Sequence, residues 1–181
     1  MKRTVMFLVF ATLLVACADD TLPPAAPEGA TEPTPTPIDE RRVGIYGALI
    51  PELVTSEGMQ WRRVYVVTDL CTDPTELVED RPESCDDVLS EAEQQALRDR
   101  VDVGELRFID DPTKLYDADW FEGAPNEVVV TLGPIVERAG GVRVGASYQC
   151  GGLCGSGSTW VLEERESAWA VVGTRGPSWI A

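Results

Sequence analysis

Val142-Arg143-Val144-Gly145-Ala146-Ser147-Tyr148-Gln149 sets Val142, Val144, Ala146 and Tyr148 on one parity and Arg143, Gly145, Ser147 and Gln149 on the other. Successive strand side chains point to opposite faces, so this period of two predicts a strand with one face against a core. Upstream, Val128 to Leu132 is apolar except for Thr131. Downstream, Trp160 and Leu162 alternate with Thr159, Val161 and Glu163, and Trp169 and Val171 share one parity. Short connections between these runs predict an antiparallel meander, because only antiparallel neighbours can be joined by tight turns.

Further upstream the period changes. Val43, Tyr46, Ile50, Leu53 and Val54 recur at helical spacing, with Pro51 expected to kink or shorten the helix. Arg63 to Asp69 is rich in β-branched and aromatic residues and reads as a strand. Ser90-Glu91-Ala92-Glu93 is a capping box that should open a second helix. Ala92, Ala96, Leu97 and Val101 form its narrow apolar stripe, and Gly104 lies just past its end. Glu105 to Ile109 reads as another strand. Helices early and strands late predict an α+β domain: a mostly antiparallel sheet with about two helices on one face. Residues 41–181 contain no second low-complexity break and suit a single domain.

Residues 18–40 cannot add to that core. They hold Pro23, Pro24, Pro27, Pro33, Pro35 and Pro37, several acids, no base, and only Leu22 and Ile38 as sizeable apolar side chains. Proline and like charge keep such a segment extended, so residues 17–40 read as a tether. Before it, Lys2 and Arg3 precede an uncharged stretch from Thr4 to Ala16. That is a signal-peptide pattern over residues 1–16, too short for the roughly twenty residues of a membrane span. Leu14-Val15-Ala16-Cys17 resembles a bacterial lipobox. The resemblance to bacterial lipoproteins implies that Cys17 is acylated and becomes the first residue of a mature chain held at an extracytoplasmic membrane surface. Ala18 in place of Asp permits, by the same resemblance, outer-membrane sorting.

Cys71, Cys85, Cys150 and Cys154 are an even set in a chain expected to leave the reducing cytoplasm, so disulfides are the default. Three pairings exist; Cys71–Cys85 and Cys150–Cys154 are favoured because each brackets one compact loop. Zinc is the competing reading, and the wide Cys71–Cys85 separation makes a poor half-site. The segment Tyr148-Gln149-Cys150-Gly151-Gly152-Leu153-Cys154-Gly155-Ser156-Gly157, with Trp160, Trp169 and Trp179 after it, is similar to the C-terminal segment of secreted bacterial proteins of unknown function. That likeness implies a shared structural ending and no activity. Its glycines suit a tight connection with positive φ. They lack the Gly-Lys-Ser/Thr of a phosphate loop.

The formal net charge is −16, and loss of residues 1–16 removes two bases and no acid. Such a chain gains nothing from counterion release, which argues against nucleic acid as a partner. The acids concentrate between residues 69 and 122, predicting one negative face, while residues 123–181 are nearly balanced. Histidine is absent, excluding Ser-His-Asp and Cys-His catalysis and histidine-ligated metals. Lys114 is the only lysine beyond the signal segment. Asp117, Asp119 and Glu122 faintly resemble a calcium loop, but Gly123 falls one position late. Trp160 and Trp169 are expected in the core or against the sheet; Trp61, Trp120 and Trp179 stay open between packing and a binding surface.

The sequence thus implies no cofactor and no catalytic residue. The expected function is a lipid-anchored envelope protein acting as a non-enzymatic binding or interaction module toward an envelope protein or glycan. The alternatives are a carboxylate-based glycan hydrolase and a structural envelope component.

Overall fold

The computed structural model describes residues 37–55, 60–70, 87–115, 126–151 and 154–180. Among them lie helix α1 (Glu40–Thr55), strand β1 (Arg63–Val67), helix α2 (Glu91–Arg100), strand β2 (Glu105–Ile109), a 3-10 turn at Pro112–Lys114, and strands β3 (Glu127–Arg138), β4 (Gly141–Gly151), β5 (Cys154–Arg165) and β6 (Ala168–Ile180).

The six strands form one sheet in the order β2-β1-β3-β4-β5-β6. The expected meander is β3 to β6, antiparallel throughout, with Leu132 opposite Ala146 and Val144 opposite Trp160. Beyond β3 the sheet is parallel: Val64 pairs with Leu106 of β2 and with Val128 of β3. The sheet is therefore mostly, not wholly, antiparallel. The parallel pairing of β1 and β2 needs a crossover, and α2 lies within it.

Val64 and Val66 belong to the main core cluster, while Tyr65 and Val67 join Val129 in a second, smaller one. Burial on both parities explains why this strand reads as a near-continuous apolar run, as parallel strands do. The main cluster combines Val43, Ile45, Tyr46, Leu49, Ile50, Leu53 and Val54 of α1 with Leu97 of α2 and with the alternate residues Val142, Val144, Ala146 and Tyr148 of β4. Helix α1 is thus buried over more of its circumference than the period-derived residues suggest, since Ile45 and Leu49 are also fully covered.

Asp39 opens α1 by accepting a hydrogen bond from the Arg42 amide at 3.0 Å. The helix continues one turn beyond Pro51 and ends at Thr55, whose hydroxyl donates to the Pro51 carbonyl at 2.7 Å. The capping box of α2 forms as expected: the Glu93 amide donates to Ser90 Oγ at 3.3 Å, and the Ser90 amide donates to Glu93 Oε2 at 2.8 Å. In β3 the ladder shifts register between Leu132 and Ile135, where Pro134 has no amide to offer. The Gly133 carbonyl beside it accepts the buried Tyr46 hydroxyl of α1 at 2.9 Å. Burial raises the Tyr46 pKa above the ordinary phenol range, so this donor keeps its proton.

Candidate functional site

Cys150 and Cys154 form a disulfide with Cα atoms 5.1 Å apart, joining the end of β4 to the start of β5. Cys17, Cys71, Cys85, Trp120 and the acidic stretch 117–123 lie outside the described residues. Among the described residues, no three His, Cys, Asp or Glu side chains gather as metal ligands.

Trp160 and Trp169 are partly buried against the main core, as their parity predicts, and Trp61 joins them by donating its indole N–H to the Val54 carbonyl at 2.8 Å. Trp179 lies across β5. A Cβ on Gly157 would come within 2.2 Å of its Nε1, and one on Gly155 within 3.2 Å of its ring. Both glycines are thus small because an indole rests on them, a reason the sequence reading, which invoked positive φ, did not contain. Positive φ does occur at Gly151, at 138°.

A hollow of about 700 Å³ lies where the first turns of α1, the end of α2 and the β5–β6 turn meet. Glu40, Arg41 and Gly44 line it from α1, Arg100 from α2, and Glu164 and Trp169 from the hairpin. The Arg41 guanidinium sits 5.2 Å from the centre of the Trp169 ring, a cation–π contact, and reaches Glu137 at 2.7 Å. Arg100 faces Glu40 at 3.5 Å. Two glycines spaced three apart on α1 make the hollow possible. A Cβ on Gly44 would stand 3.0 Å from Trp169 Cδ1, and one on Gly47 would stand 2.9 Å from Arg100 Cδ. That spacing was the only sequence signal for this site, and it was readable only with knowledge of which side chains cross the helix.

The next residue after Arg41, Arg42, fixes α1 to α2. Its Nε and one terminal nitrogen donate to the two Glu93 oxygens at 2.8 and 3.0 Å, and its other terminal nitrogen donates to Asp87 at 2.5 Å. Burial alone would raise the Glu93 pKa; the hydrogen bonds from Arg42 and Ser90 outweigh it and hold the carboxyl below its ordinary range. A second ionic group crosses the parallel strands, where Arg63 lies between Glu105 and Glu127 in register and bonds to both. The hydrogen bond from Arg107, then that from Arg63, holds Glu105 below the usual carboxylate range.

The cleft therefore offers two guanidinium groups, an indole face and two carboxylates, a set suited to holding a ligand. Its lining holds no histidine, cysteine or lysine; its carboxylates are Glu40 and Glu164 and its one hydroxyl is that of Ser167. No protein-family model, curated protein or solved structure matches this chain.

Proposed function

We propose that this chain is a lipid-anchored protein of the bacterial cell envelope, whose domain is a non-enzymatic binding module using the cleft between α1, α2 and the β5–β6 turn. The observation that supports the module reading is the Arg41–Trp169 stack with Arg100 beside it, a charged and aromatic surface on a lining that holds no histidine, cysteine or lysine. Arg and Trp are the side chains from which interaction hot spots are most often built. The anchor rests on Leu14-Val15-Ala16-Cys17 and on the proline-rich, acidic composition that follows it. Both helices cover the same face of the sheet in this reading, which agrees with their sharing one cluster with Val64, Val66, Val142 and Val144. Cys71 pairs with Cys85 in the same reading, leaving no free thiol.

The partner is an envelope protein or glycan. A photoreactive residue at Ala48 or Ala168, both on the cleft wall, should yield one dominant adduct in living cells, identified by mass spectrometry. A control at Asp99 should yield none. Adducts from the control alone, or none from the cleft, would contradict the assignment.

A further inference from the structure

We propose a second site, independent of the cleft: an oxyanion pocket that takes a phosphate group, at the end of the sheet where β3 turns into β4.

The pleat sorts charge there. Glu137 pairs with Val142, and Glu164 with Trp169, so both acids share the parity of the main core residues Val142, Leu162 and Trp169. Arg138 and Arg143 carry the opposite parity, and so do Arg165 and Arg175, because Arg143 pairs with Val161 and Arg175 with Thr159. Glu137 is engaged by Arg41 of α1 on its own side. Arg138, Arg143 and Arg175 line one hollow of about 170 Å³, together with Glu163 and the glycines Gly140 and Gly141. Glu163 is the only carboxylate on that lining, and it is paired with Arg165 at 3.0 Å.

In a chain of net charge −16 this is an inversion of sign. Three arginines against one carboxylate, itself shared with Arg165, leave the lining net positive, although Arg138 also donates to the Glu137 carbonyl at 2.9 Å. Their planar N–H forks match the oxygens of phosphate. The rim is open at Gly140, where an added Cβ would meet nothing within 4 Å. A tetrahedral phosphate presents acceptor oxygens in more directions than a planar carboxylate can, which suits several guanidinium forks at once, and so a phosphate group is the ligand assigned.

The phosphate can be free or belong to a lipid headgroup, and two titrations of the full chain separate these. In zwitterionic micelles, inorganic phosphate is added at constant ionic strength against chloride. In the second arm the micelles are doped with phosphatidylglycerol. Arginine side-chain N–H shifts at Arg143 and Arg175 report both. Saturation in either arm, weakened at least tenfold by Arg143→Gln and by Arg175→Gln but unchanged by Arg100→Gln, supports the pocket and identifies the source. No saturation in both arms, an equal response to chloride, or insensitivity to the two substitutions overturns it. Because Arg100 lines the cleft and not this pocket, failure of this site and failure of the cleft are separately visible.

Discussion

Glu93 is 2 % exposed and carries bonds from both Arg42 and Ser90, so its carboxylate has exchanged water for a complete set of donors. Removing one partner of such a pair leaves the other charge poorly solvated, which costs more than the pair itself contributes. Glu93→Gln should destabilise the fold by about 2–3 kcal/mol in urea unfolding at pH 7. The pH dependence has a definite sign. The folded pKa lies below the unfolded one, so the contribution is complete above the unfolded value and is lost as pH falls through the depressed folded value. The gap between wild type and Glu93→Gln should therefore close in acid; a gap of constant size down to pH 2 would contradict the ionic account. Two glycines provide opposite signs. At Gly47 an added methyl crowds the movable Arg100 side chain and meets Leu97 Cδ2 at an ordinary 3.8 Å, so Gly47→Ala should stabilise by about 0.5–1 kcal/mol through helix propensity. Gly104 has φ +85 and would place its Cβ 2.5 Å from the Trp61 carbonyl, so Gly104→Ala should cost at least about 1–2 kcal/mol. Thermal melts of the two variants should shift in opposite directions.

At the scale of elements, the corner formed by β4, β5 and β6 is fixed by one disulfide and one indole. Breaking Cys150–Cys154 opens a very short loop, and Cys154→Ser should lower stability by about 2 kcal/mol in the chain-entropy account. Gly157→Ala should dislodge Trp179, and its cost should nearly vanish in a Trp179→Ala background, because the two substitutions remove the same contact. Additive costs would mean that the indole rests elsewhere. These elements also mark how far a sequence can be read. The period of two in Val142 to Gln149 and the Ser90–Glu93 capping box are local signals, and both appear where expected. Parity assigns a residue to a face but not a strand to a neighbour, so the parallel placement of β1 and β2 beside β3 was not legible. The cleft was less so, because Glu40, Arg100 and Trp169 meet only through tertiary packing and none belongs to a motif.

At the scale of the whole molecule, the proposed function holds a charged and aromatic cleft at a membrane through residues 17–40. The first turn of α1, which begins at Glu40 where that segment ends, lines the cleft, so in the proposed anchored chain a ligand there would be held at a distance set by the tether. Attachment by two or more acyl chains is stable, since each buried methylene contributes about 0.8 kcal/mol. Thiol titration of the denatured, unreduced protein should find none free; two would leave Cys71 and Cys85 unpaired. The most direct test of the central claim is metabolic labelling with radioactive palmitate in bacteria expressing the full chain and its Cys17→Ser variant. Label and membrane co-sedimentation are expected for the wild type and neither for the variant. A wild-type chain that stays unlabelled, or a variant that labels and sediments equally, would contradict it.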